Sequence, residues 1–160
     1  MSNLAHRATG AARTVEASVQ LTRRYWFAAS HRLHHPSLAK EENQDLYGKC
    51  NNPGGHGHNY FLEVTVAGPI DPRTGMAVNL GELDAYVQAR VVSPMHESSL
   101  NELPNFHEQV PTTENLCVEI FRILREGWPE LESARRARLA RVRLEETSSN
   151  FFAYHGSEKG

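Results

Sequence analysis

The clearest pattern in the chain is an alternation of side chains that begins at residue 19. Successive side chains of a β-strand point to opposite faces, so alternate positions form one face of an extended segment. That face contains Val19, Leu21, Arg23, Tyr25 and Phe27. The alternation predicts a long first strand that ends near His31.

Further strands are predicted from the same kind of signal. Residues 58–66 are rich in aromatic and β-branched types and are followed by a Gly-Pro pair. Residues 140–146 alternate apolar with charged side chains, and residues 151–154 contain three aromatic ones. The turn residues Asp71–Gly75 predict a hairpin into a short strand over Met76–Val78.

Two helices are predicted between the early and late strands. The first begins at Asn79, which with Glu82 fits a capping box, and is expected to end at Pro94. The second begins with Thr112 or Thr113 as its N-cap. The apolar stripes contain Leu80, Leu83, Val87 and Val91 in the first helix and Leu116, Cys117, Ile120, Phe121 and Leu124 in the second.

The order of elements is strand, strand, strand, helix, helix, strand, strand. This order predicts an α+β architecture, with both helices on one face of an antiparallel sheet. Segments 32–48 and 95–110 are expected to be irregular. A connection as long as 95–110 that has no secondary structure of its own tends to be functional. His34 and His35 fall in the first segment and are interpreted as surface residues.

Composition narrows the classes of function. The chain has 160 residues and a net charge of −2, so nothing indicates a nucleic-acid partner. No apolar run approaches the ~20 residues of a membrane span, so no membrane partner is expected either. Residues 1–17 predict a flexible N-terminal arm and residues 18–160 a single domain. Cys50 and Cys117 do not form a disulfide framework, which predicts free thiols and a cytoplasmic location.

The candidate chemistry is concentrated in residues 50–60, Cys-Asn-Asn-Pro-Gly-Gly-His-Gly-His-Asn-Tyr. His56 and His58 are two apart in a predicted strand, so their side chains share a face. Antiparallel pairing of the first two strands would bring His31 beside them. Three histidines with an open fourth position are typical of catalytic zinc. An isolated H-x-H also fits a solvated polar hairpin.

Three other residues are candidates for buried or reactive groups. Cys50 follows Lys49 in a polar loop, and nearby positive charge favours a thiolate. Cys117 lies in an apolar helix stripe and is interpreted as a core residue. Glu146 shares a strand face with apolar residues, whereas Glu145 falls on the polar face. Because a glutamate is almost never buried unpaired, Glu146 is predicted to have a partner inside the protein or to await a ligand.

Five ordered blocks resemble the 6-pyruvoyltetrahydropterin synthase family, and they lie between Ser18 and Gly156. The blocks are FAASHRL, GKCNNPGGHGHNY, IDPRTGMAVNL, PTTEN and LEET. The resemblance implies a tunnelling fold, in which a four-stranded antiparallel sheet carries two helices on one face. It also implies a homohexamer, built as a dimer of trimers, and Zn²⁺ held by His31, His56 and His58.

The resemblance also implies roles for the remaining site residues. Cys50 corresponds to the family's general base. Glu146 corresponds to the glutamate that anchors the pterin, because a carboxylate can accept the 2-amino and N3 hydrogens together. Thr112, Thr113 and Glu114 match the segment that helps to line the pterin pocket. Capping of the second helix is an alternative role for the two threonines, and both roles can hold.

The loop after Pro94 departs from the family pattern P-L-D-H-x-x-L. Aligned without gaps, His96 replaces the aspartate and Glu97 replaces the histidine. With a one-residue deletion, His96 keeps the histidine's role and the aspartate is missing. We expect His96 to be the proton-transfer residue, since a carboxylate beside an imidazole can fix its tautomer. A degenerate loop in a weak or repurposed enzyme is the alternative.

The reaction implied by the resemblance is that of a carbon–oxygen lyase. It converts 7,8-dihydroneopterin triphosphate into 6-pyruvoyltetrahydropterin with loss of triphosphate, as in tetrahydrobiopterin-type pterin biosynthesis. The alternatives are a 6-carboxytetrahydropterin synthase of queuosine biosynthesis and a noncatalytic pterin- or zinc-binding homologue. The five residues between Cys50 and His56 resemble the tetrahydrobiopterin-type enzymes, and an intact Cys50 argues against a noncatalytic protein.

Overall fold

Two long antiparallel strands form the centre of the fold. The computed structural model describes residues 17–156, so the predicted arm lies outside the described residues except for Ala17. β1 (Ser18–His31) pairs with β2 (His56–Pro69) over its whole length, and the register places His31 opposite His56. The predicted alternation is confirmed, because Phe27 and Tyr60 are fully buried on the same face.

The sheet has five strands in the order β3-β1-β2-β4-β5. β4 (Arg138–Thr147) and β5 (Asn150–Tyr154) extend it with antiparallel pairs. The fifth strand, β3 (Ser98–Ser99), pairs in parallel with the outer edge of β1. The resemblance implied four strands, and β3 is the additional one. The sequence pattern did not predict β3, because a strand of two residues carries no detectable alternation.

The predicted hairpin into Met76–Val78 was wrong. Within the described residues this segment is not a strand, and a turn closes it through hydrogen bonds from Gly75 N–H to Asp71 O (2.7 Å) and from Asp71 N–H to Met76 O (2.9 Å). The side chain of Val78 is buried in the core, which explains why this position is apolar although it is not in a strand. An apolar residue beside a turn does not distinguish a strand from an anchored loop.

Helix α1 (Lys40–Tyr47) forms inside the segment that was predicted to be irregular. It has no wide apolar stripe, and its one buried residue is Asn43. The Asn43 amide donates hydrogen bonds to the carbonyl groups of His35, Leu38 and Ala39, at 3.0 to 3.1 Å. A polar side chain thus organises this helix, which is why hydrophobic periodicity did not predict it.

Helix α2 (Leu80–Val87) begins at Asn79, whose side chain accepts from Gly81 N–H and Glu82 N–H. Glu82 does not complete a capping box, because its carboxylate instead accepts from the Ser133 hydroxyl at 2.6 Å. Pro94 does not end the helical path. A π-helical turn (Gln88–Val92) and a short helix α3 (Ser93–Met95) continue it, and a proline is tolerated near the start of such a segment.

The core lies between the helices and one face of the sheet. Helix α4 (Thr113–Glu126) packs on β4 and β5 and is capped by Thr112. Core residues from strands and helices include Phe27, Leu62, Val64, Leu83, Leu116, Ile120, Leu124, Val142 and Leu144. This arrangement confirms the α+β architecture with helices on one face.

The opposite face of the sheet is open and largely polar. Arg143 lies 3.0 Å from Glu63 and 3.5 Å from Glu145, while Trp26 is 55% exposed and Phe151 58% exposed. Among the described residues, no helix combines the length and the apolar character that crossing a bilayer would require.

Candidate active site

Three histidines converge at one end of the helix-covered face. One ring nitrogen from each of His31, His56 and His58 lies within 4.8 Å of the others, and within residues 17–156 no other group of this kind is found. The antiparallel register produces the cluster, because it places His31 opposite His56 and Ala29 opposite His58. His34 and His35 lie outside the cluster, as predicted, and His35 is exposed.

A hydrogen bond on the side of the ring away from the other histidines fixes the orientation of His31. Its Nδ1–H donates to the carbonyl oxygen of Pro111 at 2.7 Å, so Nε2 is the nitrogen that faces the other histidines. The imidazole is 2% exposed. Burial lowers the pKa of His31, and the neighbouring His56 and His58 lower it further, although the Pro111 contact opposes this. A neutral imidazole with a free Nε2 lone pair is the form that binds a metal.

The other two histidines have buried nitrogens without hydrogen-bond partners among the described residues. These atoms are His56 Nδ1 and His58 Nε2. The Nε2 atoms of His31 and His56 lie 3.1 Å apart. Nitrogens that bind one tetrahedral zinc at about 2.1 Å lie about 3.4 Å from each other. Because of this spacing, and because burial lowers the pKa of His56 as well, the three residues fit a zinc ion.

The turn before His56 requires glycine at one position. Gly55 has a φ of +66°, and a Cβ there would lie 2.9 Å from the carbonyl oxygen of His31. Its N–H donates to Asn52 O at 2.8 Å. The close approach of this turn to β1 therefore brings His56 beside His31, and any side chain at residue 55 would push them apart.

Cys50 lies in the 3₁₀ turn that precedes this bend, Gly48–Asn51. Its carbonyl oxygen accepts from Leu33 N–H at 2.9 Å, and its side chain is half-buried. Cys117 differs in environment, since it is buried in α4 and burial raises its pKa to about 11. The two thiols thus occupy the separate environments that the sequence predicted.

Glu146 extends towards the histidine cluster from a β-bulge. The β4–β5 register shifts between Glu145 and Thr147, so Glu146 is the additional residue. Its Oε1 lies 3.8 Å from His31 Nε2 and 3.7 Å from His58 Nε2. Burial would raise its pKa, but hydrogen bonds from Thr113 and Asn150 lower the pKa below its ordinary value. The carboxylate is therefore ionised beside the candidate metal site.

Thr112, Thr113 and Glu114, which lie at the N-terminal end of α4, differ in their contacts. Thr112 accepts from Asn115 N–H and is the N-cap. Thr113 is buried and its hydroxyl donates to Glu146 Oε1 at 2.5 Å. Glu114 is exposed on the first turn of the helix. The structure thus brings Thr113, but not Glu114, into contact with the predicted anchor.

Tyr60 belongs to this site and was not singled out from the sequence. It is fully buried and stacks on Phe27 with ring centroids 5.2 Å apart. Its ring also lies 5.6 Å from that of His58. Burial raises the pKa of Tyr60 well above its ordinary value, and the Glu146 carboxylate adds to this effect. The available signal was its position two residues after His58, on the same strand face.

His96 and Glu97 lie beside the edge of β1. His96 Nδ1 accepts from Ala28 N–H at 3.2 Å, and its ring meets the edge of Trp26 with centroids 5.2 Å apart. The other ring nitrogen, Nε2, lies 3.8 Å from Glu97 Oε1. The sequence-predicted pair is thus close in space, although it lies on the edge of the sheet.

Glu97 has an uncommon backbone conformation. Its φ is +57°, and within residues 17–156 no other non-glycine residue has a positive φ. Its side chain is 82% exposed and lines a cavity of about 410 Å³ that His58 also lines. Strained conformations of this kind cluster at functional sites. His96 is not among the lining residues, so Glu97 is the member of the pair that faces this cavity.

Comparison with known proteins places this geometry in a family. The family model described as 6-pyruvoyl tetrahydropterin synthase matches residues 20–157. A human protein named 6-pyruvoyl tetrahydrobiopterin synthase is 44% identical over 138 residues, covering 86% of this chain and 91% of the human one. The Drosophila melanogaster protein of that name is 42% identical over 137 residues, covering 85% and 79%.

A solved structure agrees with the sequence comparisons. The structure of Caenorhabditis elegans 6-pyruvoyl tetrahydropterin synthase superimposes with a TM-score of 0.80 at 34% identity, and the match covers 88% of this chain and 97% of the other. The family match spans β1 to β5, including every histidine of the cluster and Glu146. The chain belongs to the 6-pyruvoyl tetrahydropterin synthase family.

Proposed function

We propose that the protein converts 7,8-dihydroneopterin triphosphate into 6-pyruvoyltetrahydropterin and triphosphate. One observation carries the proposal: an ionised carboxylate, Glu146, lies 3.7 to 3.8 Å from nitrogens of His31 and His58. The proposed pterin anchor and the proposed three-histidine metal site are therefore adjacent. The names of relatives that cover most of the chain support the same reaction.

Glu146 is the proposed anchor for the pterin ring. Its two oxygens already accept from Thr113 and Asn150, and the second contact measures 2.9 Å. Each carboxylate oxygen has more than one acceptor site, so the 2-amino and N3 hydrogens can still be bound. This pairing would hold the ring and direct the side chain at C6 towards the histidines.

Zn²⁺ is the proposed cofactor, held by His31, His56 and His58. When bound, it would polarise the side-chain oxygens of the substrate and make the adjacent C–H protons easier to remove. Cys50 is the proposed base that accepts such a proton. Its half-buried turn leads directly into the strand that carries His56 and His58.

His96 and Glu97 are the proposed partners in proton transfer. Glu97 faces the cavity that His58 also lines, and it lies near His96 Nε2. Proton transfer between the pair and the substrate would complete the side-chain isomerisation. Thr113 is proposed to hold Glu146, while Thr112 acts through the helix cap. Glu114, which is exposed on the first turn of α4, is proposed to help line the pterin pocket.

Two alternative functions can be distinguished from the proposed one by experiment. A 6-carboxytetrahydropterin synthase would use the same substrate, but the turn from Cys50 to His56 resembles the tetrahydrobiopterin-type enzymes. A noncatalytic homologue would account for the altered His96–Glu97 loop, but it would not need Cys50. Analysis of the product formed from 7,8-dihydroneopterin triphosphate separates the three outcomes.

We also propose that the protein assembles as a homohexamer in the cytoplasm. The open sheet face carries exposed aromatic side chains on three strands, namely Trp26, Phe61 and Phe151. Burying such a surface, and pairing the edge of β5 that is unpaired among the described residues, would stabilise an assembly. Light scattering that finds only monomer at micromolar concentration would contradict this. The free thiols of Cys50 and Cys117 fit a reducing compartment.

A further inference from the structure

Arg32 connects the end of β1 to the turn that carries Cys50. Its Nε–H donates to the backbone carbonyl oxygen of Asn51 at 3.0 Å, and its Nη2–H donates to the side-chain oxygen of Asn51 at 3.1 Å. Beside these contacts, Leu33 N–H donates to Cys50 O at 2.9 Å. Residues 32 and 33 therefore hold residues 50 and 51 through both backbone and side-chain hydrogen bonds.

The two contacts with Asn51 use the particular shape of an arginine. A guanidinium group presents its N–H donors in a planar fork, whereas a lysine ammonium is a compact point charge. Asn51 is 5% exposed, so its oxygens depend on donors within the protein. His34 Nδ1 lies 3.1 Å from the same side-chain oxygen and belongs to this network. The fork thus fixes the residue next to Cys50 at its backbone and at its side chain.

The backbone of Arg32 is itself held by Asn101. The Asn101 side-chain oxygen accepts from Arg32 N–H at 2.7 Å, and the Asn101 amide donates to Arg32 O at 2.9 Å. Asn101 lies in the 3₁₀ turn Leu100–Glu102, directly after β3, and β3 directly follows Glu97. Arg32 therefore lies between the segment that carries Glu97 and the turn that carries Cys50, and it is bonded to both segments.

We propose that Arg32 is a positioning residue, which holds Cys50 in place relative to the histidine cluster and to the loop that carries His96 and Glu97. The inference rests on the proposed function, since it concerns the base of that reaction. A base must lie within hydrogen-bond reach of the proton that it removes. Misplacement of a reacting group by about 1 Å can reduce a rate about a hundredfold. Because Arg32 directly follows His31, its contacts connect the position of the thiol to that of a candidate zinc ligand.

The test compares zinc-loaded wild type, Arg32→Lys and a matched control, Arg23→Lys. Arg23 lies on β1 and contacts the Asp84 carboxylate through two nitrogen atoms, Nε and Nη2. Both substitutions keep the positive charge and remove the fork. The measurements are zinc content, neopterin affinity by fluorescence titration, kcat with 7,8-dihydroneopterin triphosphate, Tm, and the rate at which iodoacetamide modifies Cys50, followed by peptide mass spectrometry.

The proposal predicts a selective effect of the substitution at Arg32. Arg32→Lys should lower kcat about tenfold or more, because the base is no longer held in place. It should speed the modification of Cys50 about three- to tenfold, because the turn opens more often. Zinc content and neopterin affinity should stay at their wild-type values, since the contacts of Arg32 are with Asn51 and Asn101. Arg23→Lys should lower Tm and change none of the other quantities.

Several results would overturn the proposal: a wild-type kcat and modification rate in Arg32→Lys, equal changes in the two variants, or loss of zinc or of neopterin affinity. Asn101→Ala is a second variant for the case that Arg32→Lys does not fold. It keeps the guanidinium, removes both contacts with the Arg32 backbone, and should shift kcat and the modification rate in the same directions. If wild type forms no product, the proposed function fails, while the modification rates still decide whether Arg32 restrains Cys50.

Discussion

The Nδ1 atom of His31 lies 2.7 Å from the carbonyl oxygen of Pro111. This hydrogen bond connects the end of β1 to the residue that leads into α4, across 80 positions of sequence. It directs Nε2 of His31 towards His56 and His58. The helix that contributes Thr113 to the pocket is therefore coupled to the orientation of a candidate metal ligand.

The first prediction concerns metal content. Wild type should contain about one zinc per chain, as a single three-ligand site requires. His58→Ala should lose most of it, because His58 Nε2 is buried without a hydrogen-bond partner among the described residues and belongs to the histidine cluster. Metal analysis by mass spectrometry measures this. His107→Ala is the control and should keep its zinc, since His107 is exposed and outside the cluster. Full zinc in His58→Ala would refute the ligand assignment.

The second prediction separates the two thiols. At pH 8 a disulfide reagent should label Cys50 rapidly and Cys117 only after unfolding, because Cys117 is 2% exposed and burial raises its pKa to about 11. Cys50→Ala should abolish turnover while leaving zinc and fold intact, and Cys117→Ala should mainly reduce stability. Equal losses of activity in the two variants would contradict this division of roles.

The raised pKa of Cys117 also predicts a dependence of stability on pH. The folded protein holds the thiol proton more tightly than the unfolded chain, whose pKa is near the ordinary 9.0. The associated stability is complete below pH 9 and declines as pH rises towards 11. Urea unfolding at several pH values should show this decline in wild type and a shallower one in Cys117→Ala. Parallel curves would exclude the thiol as its source.

The third prediction concerns the pterin anchor. Glu146→Gln should reduce neopterin affinity at least tenfold, because a carboxylate–donor pair is replaced by an amide that also presents its own donors. Zinc content should persist, as the three histidines are unchanged. Glu145→Gln is the matched control, since Glu145 faces the other side of the sheet and pairs with Arg143 at 3.5 Å. Equal effects of the two substitutions would remove Glu146 from the anchoring role.

The fourth prediction concerns the altered loop. His96→Ala should reduce turnover far more than His107→Ala, with zinc content unchanged. His96→Asn supplies a control for structure, because an amide oxygen can still accept from Ala28 N–H as Nδ1 does at 3.2 Å. If the His96→Asn protein is as stable as wild type but has lost turnover, the imidazole itself acts in catalysis. Wild-type turnover in all three variants would show that the loop has no catalytic part.

Strand alternation accounts for most of what could be predicted. The faces of β1 and β2 follow directly from the side-chain period, so the meeting of His31 with the His56–His58 pair required only antiparallel pairing. Alternation also predicted that Glu146 faces the protein interior, but it did not predict the bulge at this residue. These features depend on the local alternation of apolar and polar side chains, which can be recognised from the sequence.

The hydrogen-bond partners of polar side chains could not be predicted. Helix α1 depends on the three carbonyl groups that Asn43 binds, and Glu82 binds Ser133 instead of closing its own cap. The hydrogen bond from the Thr113 hydroxyl to Glu146 likewise joins residues that are 33 positions apart. Polar side chains choose partners by tertiary position, and a propensity or spacing rule does not contain that information.

The most direct test of the proposed function is identification of the product. Zinc-loaded wild type would be incubated with 7,8-dihydroneopterin triphosphate, and the pterin and phosphate products would be separated and identified by mass spectrometry. Cys50→Ala, loaded with the same amount of zinc, serves as the control. We predict 6-pyruvoyltetrahydropterin and one equivalent of triphosphate from wild type and neither from the variant. Formation of 6-carboxytetrahydropterin, or an unchanged substrate, would contradict the account.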